Sequence, residues 1–561
     1  VRINDRKVMQ SLPYSSSGAS FTGLCLSPDG SEVYVTDSRN RLCVAEIDKD
    51  LVMKWKDPII LPSPESGGQP VPGGIAVDQK GDLLYVTLSR NNTLAVVNMK
   101  DRKVSEISVG MAPYSVILHS SGKAYVTNWG GRHPEAGEPT YNSSGSQVLV
   151  DPGTGAASSG TVSVVDLEKN REIKYIEVGL HPSGMALSPD SRLLYVACAN
   201  SDVISVIDTE NDEVTETISV HRTDNMLFGS SPNALTVSPD GRYLYVANGT
   251  ENAICVIQTD SPASIKGYIP VGWYPGALAV SSDGKGLYVA NVKGTGSRNQ
   301  PTTQKGFNSH NHLGSLSIIT IPSAKELKEM TEIVIQNNTW ASTSKGQYEK
   351  SGKMKKVPVP VTPDQVSVFK HVVYIIKENR TYDQILGDMP QGNGDTSLVH
   401  FGEEVTPNHH LLAETFVLLD NFYCSGILSA DGHQWTDEAF VTDYLEKSFG
   451  GFTRSYPYDG DDALAYSATG FIWDNVLRHG LTFRDYGEFV SAVIEPSGST
   501  FTEIYNDFIN GTGKISIEAR ANISTIEPYI CKSFMGFPNV VPDVYRAAEF
   551  IRELNEFEKN D

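Results

Sequence analysis

Two short stretches carry side chains whose types and spacing could do chemistry. In the first, residues 371–383 (HVVYIIKENRTYD), an apolar run ends on Glu378 and Asn379. A carboxylate and an amide side by side at a strand tip can hold a hard or borderline divalent cation. The same pair also reads as a helix-capping Asn beside a solvated Glu, and Asn379-Arg380-Thr381 matches a glycosylation acceptor. In the second, residues 420–435 (DNFYCSGILSADGHQW), an apolar run leads to Ser429 at the opening of a helix-like segment. Backbone N–H groups and the positive end of the helix dipole face a hydroxyl placed there. That suits a nucleophile attacking phosphorus, with a metal lowering the hydroxyl pKa. Ser429 equally suits a plain N-cap, with Ala430, Asp431 and Gly432 in the first turn. His433, four residues on, either faces the same pocket or packs against a sheet.

The elements that must position these groups begin near residue 369. HVVYIIKE, FVLLDNFYC and LTFRDYGEF read as strands. TYDQILGD, TPNHHLLAETF, ADGHQWTDEAFVTDYLEKSF, FIWDNVLRHG and VPDVYRAAEFIRELNEFEKN read as helices. Near-continuous apolar strands alternating with helices predict a mainly parallel sheet covered on both faces. Functional groups collect at the carboxyl ends of such strands, where both stretches fall. Residues 341–367, small, charged and Pro-rich, read as a linker.

Everything before the linker repeats. A Tyr-Val pair recurs at Tyr34, Tyr85, Tyr125, Tyr195, Tyr245 and Tyr288. The unit at 231–260, SPNALTVSPDGRYLYVANGTENAICVIQTD, reads as strand, Asp-Gly turn, strand, turn, strand. A fourth strand, GYIPVG, precedes the next unit. Four short strands in each unit of about 40–50 residues is the pattern of a propeller blade. Six such units predict a β-propeller over residues 1–340. Insertions at 129–160 and 292–313 interrupt two units at an equivalent place. Both belong near one mouth of the channel, where they could bind a ligand or the second domain, or be tolerated surface loops. His310 and His312 lie in the second insertion, without a visible third ligand.

The 561 residues exceed one hydrophobic core, so two or more domains are expected. The net charge of −21 disfavours nucleic acid, whose phosphates require clustered Lys and Arg. No apolar run is long enough to cross a bilayer. Six cysteines without a CxxC pair read as buried free thiols. The chain starts at Val1 without a signal-like segment and stops after a helix-like run, so the expectation is a fragment cut at both ends.

The repeats resemble the YVTN-type β-propeller family, as in Tyr34-Val35-Thr36-Asp37, Tyr125-Val126-Thr127-Asn128 and Tyr245-Val246-Ala247-Asn248. That resemblance implies seven blades in the full protein against six visible here. Residues 368–561 are similar to the first part of a phosphoesterase domain of the alkaline-phosphatase superfamily, in the branch of phospholipases C and acid phosphatases. The match is carried by Glu378-Asn379-Arg380-Thr381-Tyr382-Asp383 and by Ser429-Ala430-Asp431-Gly432-His433. It implies Glu378 and Asn379 as metal ligands (Zn²⁺, Mn²⁺ or Ca²⁺) and Ser429 as the nucleophile that accepts a phosphoryl group. Asp431 and Ser425 stay open as alternatives, because the branch's usual Pro-Asn after the nucleophile is absent. The implied activity is metal-dependent hydrolysis of phosphoric esters, on a small molecule or a lipid headgroup, in an extracytoplasmic (periplasmic or secreted) setting. The superfamily completes its metal site with Asp and His from the second half of the domain, and no such cluster is visible between residues 480 and 561. Poor metal retention and negligible turnover are therefore expected of this chain. The runner-up is a non-catalytic extracytoplasmic or surface propeller that binds a partner. A third reading, a propeller lactonase or dehydrogenase, would need acidic metal ligands converging in the channel, where the repeats show mostly Ser, Asn and Thr.

Overall fold

The computed structural model describes residues 1–13, 20–224, 226–295, 313–340, 355–360, 365–448 and 451–560. The chain forms two compact units, Val1–Ser344 with Gly426–Asp561, and Lys345–Ser425.

The first unit is built on a six-bladed propeller. Each Tyr-Val pair sits in the second strand of a blade: Glu32–Asp37, Leu83–Leu88, Lys123–Asn128, Leu193–Cys198, Tyr243–Asn248 and Gly286–Gly294. Blade 5 shows the plan. Pro232–Val237, Tyr243–Asn248, Ala253–Gln258 and Ser264–Pro270 pair antiparallel in chain order. Inner strands of successive blades pack side by side from blade 1 to blade 6. Apolar side chains from the facing sheets fill the wedges between blades, as Tyr195, Val206, Leu235, Leu244 and Cys255 do between blades 4 and 5. Burial of that alternating pattern drives the ring together. The Asp-Gly turns carry a local lock. Ser238 Oγ donates to Asp240 Oδ1 at 2.6 Å and accepts from Tyr243 N at 2.9 Å, while Gly241 takes a positive φ of 74°, which favours glycine. The same Ser-to-Asp bond recurs at Ser27–Asp29, Ser188–Asp190 and Ser281–Asp283. Helix α1 (Ala324–Asn337) packs on the outer strand of blade 5, with Tyr268 N donating to Thr331 Oγ1 at 2.8 Å.

In Lys345–Ser425 the outcome departs from the expected sheet. HVVYIIKE forms no strand: Val372 is 84% exposed and Ile375 71%. FVLLDNFYC forms none either. An apolar run becomes a strand only where another strand takes its backbone hydrogen bonds, and neither run pairs with a strand among the described residues. Among the described residues the sheet content here is one short parallel pair, Lys355–Val357 with Gln365–Ser367. Helices α2 (Tyr382–Leu386) and α3 (Pro407–Thr415) do form as expected.

In Gly426–Asp561 the long predicted helix breaks in two, α4 (Ser429–Glu438) and α5 (Asp443–Ser448). Ala439 adopts the left-handed conformation (φ 54°) that ends α4. Then come α6 (Ile472–Arg478), α7 (Phe501–Asn510) and α8 (Asp543–Asn560). LTFRDYGEF contributes only an isolated bridge, Asp485 with Ile530. The strands are Val490–Glu495 and Ser516–Ala521, paired antiparallel. This region is mixed α/β with small sheets. The mainly parallel, alkaline-phosphatase-like sheet is not present among the described residues.

α5 lies over one mouth of the propeller. Asp443 accepts from Ser183 Oγ in blade 4 and from Tyr274 OH in blade 6, each at 2.8 Å. Lys447 pairs with Asp443 at 3.0 Å and donates to Tyr114 OH in blade 3 at 2.9 Å. Glu446 meets Lys293 of blade 6 at 2.6 Å, both side chains nearly fully buried. Arg454 donates to Ser89 O and Oγ, just after blade 2's second strand, at 2.7 Å. One short helix and its following loop thus touch the same end of four blades. The 129–160 insertion also packs on this region, through Asn142 Nδ2 to Asp461 O (3.1 Å) and Ala157 N to Ala463 O (3.2 Å). Of the readings open to it, these contacts are those of a loop that binds the chain after residue 426. His310 and His312 lie outside the described residues.

Candidate functional site

Ser429 is the first residue of α4, with Leu428 extended before it as N-cap. Its backbone N–H donates to Tyr456 OH at 3.2 Å. Asp431 is fully buried and accepts from Ile427 N at 2.8 Å and Leu428 N at 2.9 Å. That makes Asp431 the carboxylate that satisfies the helix's entering N–H groups, and removes it as a nucleophile. Ser425 is exposed and closes the other unit.

Along α4, Ser429, His433 and Asp437 follow at four-residue intervals, which places them on one face. Facing the lower two is a turn from the chain's last third. There Asp485 Oδ1 accepts from Glu488 N at 3.0 Å. Gly487 holds φ 100°, and a Cβ there would lie 2.2 Å from Gly536 N, so only glycine brings the turn this close. The turn delivers Glu488 Oε1 onto His433 Nδ1 in a short hydrogen bond. One ligand atom each from His433, Asp437 and Glu488 lies within 4.8 Å of the others; among the described residues this is the one such group of three His, Cys, Asp or Glu. Phe489 and Tyr458 flank the imidazole at 6.0 and 6.5 Å between ring centroids.

The electrostatics of this corner are lopsided. Asp437 is 4% exposed, and its Oδ2 accepts no hydrogen bond; the same holds of Asp485 Oδ2. Burial first, and then Glu488, push the Asp437 carboxyl well above its ordinary range. Burial pushes Asp485 up to about 7 against the backbone N–H bonds it accepts. Neither Asp437 nor Asp485 has a Lys or Arg ion pair among the described residues. The sequence reading missed this cluster because Glu488 stands 55 residues from His433. Glu488 is the one member of the group that comes from after residue 480, and it closes on a histidine from before it.

Glu378 and Asn379 lie in the Lys345–Ser425 unit, adjacent and exposed. Asp383, the last residue of that motif, accepts from Asp395 N at 2.8 Å through Oδ1 and holds a local turn. In the same unit His410 Nε2 pairs with Asp388 Oδ1 at 2.7 Å, a structural contact at the start of α3. Among the described residues no group of three His, Cys, Asp or Glu donors includes Glu378. The carboxylate and amide fit an open oxygen site rather than a closed cage.

Two family models match within the propeller: "Lactonase, 7-bladed beta-propeller" at residues 184–296 and "SMP-30/Gluconolactonase/LRE-like region" at residues 17–130. Both are named for hydrolases of lactones. No curated protein matches. A solved structure of Kuenenia stuttgartiensis hydrazine synthase is similar over 58% of this chain and 87% of its own, at 16% identity and TM-score 0.40. A likeness of that size carries no argument about function. Among the described residues no helix is long and apolar enough to cross a membrane.

Proposed function

We propose that this chain is a metal-dependent hydrolase of ester bonds, with Ser429 as nucleophile toward a phosphoric ester. The observation that carries the reading is the placement of Ser429: a hydroxyl at the head of a ten-residue helix, on the same face as His433. Two propeller matches to families of ester-cleaving enzymes support the hydrolase class. Glu378 and Asn379 are the proposed ligands of a divalent cation (Zn²⁺, Mn²⁺ or Ca²⁺). Such an ion would supply positive charge to the oxygens of a phosphoryl group. In the reaction, Ser429 Oγ forms a bond to phosphorus as the P–O bond to the leaving alcohol breaks. The serine proton ends on that alcohol. Water then attacks phosphorus, releasing phosphate and restoring the hydroxyl. The substrate is proposed to be a phosphate-ester small molecule or a lipid headgroup, in an extracytoplasmic setting. The propeller's part is to hold Gly426–Asp561 through α5.

The test is release of nitrophenol from p-nitrophenyl phosphate with added Mn²⁺ or Zn²⁺. At least one equivalent per chain is expected, lost in Ser429→Ala. Release unchanged in that variant would overturn the assignment. A second reading, lactone hydrolysis by the propeller itself, is favoured by the two family matches. It predicts acid release from a γ- or δ-lactone that survives Ser429→Ala.

A further inference from the structure

We propose that His433, Asp437 and Glu488 hold a divalent cation of the Zn²⁺ or Mn²⁺ class between α4 and the turn at 485–488, a site apart in sequence from Glu378 and Asn379. Three observations carry it. The three ligand atoms already lie within 4.8 Å of one another, the spread that an ion with bonds of about 2.0–2.2 Å draws together. Two of the donors come from one face of α4 a single turn apart, the spacing by which a helix offers paired ligands. Independently of the cluster, Asp437 Oδ2 is buried and accepts no hydrogen bond, and so is Asp485 Oδ2 beside it. A buried carboxylate oxygen without a donor is costly, and here two stand together with no Lys or Arg ion pair on either among the described residues. A divalent cation supplies the missing positive charge.

The mixed donor set selects the ion. One imidazole with two carboxylates suits Zn²⁺ or Mn²⁺; an all-oxygen cage would suit Ca²⁺ or Mg²⁺. Phe489 and Tyr458 wall the imidazole and limit water around it. The use of the site rests on the ester-hydrolase reading. Ser429 lies on the same face, about 6 Å of helical rise from His433.

Binding is tested apart from activity. The full chain is titrated with Co²⁺, following visible absorption, and with Mn²⁺ by calorimetry. A tightly bound equivalent with the bands of nitrogen-ligated Co²⁺ is expected, together with a rise in Tm on adding metal. His433→Ala and Asp437→Asn each weaken that equivalent at least tenfold, and Glu378→Gln leaves its bands unchanged. In Asp437→Asn the metal-free protein melts no lower than wild type, because the cost of burying that carboxyl beside Glu488 is gone, which shows the variant is folded. Absence of Co²⁺ bands in wild type, or equal binding by wild type and both variants, overturns the proposal. Intact binding in a protein that releases no nitrophenol keeps the cation site and removes the hydrolase reading.

Discussion

Replacing Lys293 with Met should loosen the helix that covers the propeller mouth, and the loss should depend on pH in a defined way. Lys293 and Glu446 are 2.6 Å apart, with side chains 2% and 1% exposed. Burial already raises the Glu446 pKa, and Lys293 holds it down. Without the lysine, Glu446 must be buried charged or take up a proton. Removing one partner of a buried pair costs about 3–5 kcal/mol. Protonation caps that cost. Holding a glutamate neutral at pH 7 when its unfolded pKa is about 4.3 costs ~3.5 kcal/mol, falling to ~1 kcal/mol at pH 5. The sign follows from the raised folded pKa. The protonated native state keeps its stability below about pH 4.3 and loses it as pH rises. Urea unfolding followed by tryptophan fluorescence reads this directly, because Trp129 is buried 5.6 Å from Tyr444 of α5, ring to ring. Lys293→Met should lose about 3 kcal/mol at pH 7 and about 1 kcal/mol at pH 5. Lys293→Met with Glu446→Leu should regain most of the loss, since an apolar pair can replace a buried ion pair. Equal losses at both pH values, or a double variant as damaged as the single, would refute the reasoning.

Three further outcomes follow from the same interactions. Tyr274→Phe removes one of the two hydroxyl donors to Asp443 and should cost about 1–2 kcal/mol in the same urea assay. Glu251 is buried, and burial pushes its pKa up to about 7, so its contribution is present below about pH 4.3 and lost as pH rises through 7. Glu251→Gln should therefore stabilise the protein by ~3 kcal/mol at pH 8 and change little at pH 4; Asn248, whose Oδ1 accepts nothing, can turn over to receive the new amide. Gly487→Ala forces a left-handed residue against Gly536 N. It should cost more than about 1 kcal/mol in thermal unfolding and weaken the Co²⁺ equivalent by displacing Glu488.

The propeller was legible because its information is local and repeated. Every Tyr-Val pair marks a second strand, and the Ser-x-Asp-Gly turns at 27–30, 238–241 and 281–284 form the hairpins their residues dictate. The C-terminal third was legible in its helices and not in its strands. α3, α6 and α8 fall where caps and apolar spacing put them. HVVYIIKE and FVLLDNFYC have the composition of buried strands, but a strand is completed by pairing, and neither run pairs with another strand among the described residues. The break at Ala439 left no signal either, since alanine favours continuing a helix. At the site, Ser429 could be placed at a helix start from sequence, and His433 on its face. Asp431 looked like a possible nucleophile and is a buried cap. Glu488 could not be joined to His433 without the fold, because Gly487 against Gly536 sets that meeting.

The central claim is that Ser429 accepts a phosphoryl group. The most direct measurement incubates the chain with p-nitrophenyl phosphate and Mn²⁺, quenches in acid, and maps phosphate by mass spectrometry of the proteolysed protein. The account predicts one phosphoryl group on the peptide containing Ser429, absent from Ser429→Ala. Nitrophenol released by both proteins, with no phosphate on that serine, would contradict it.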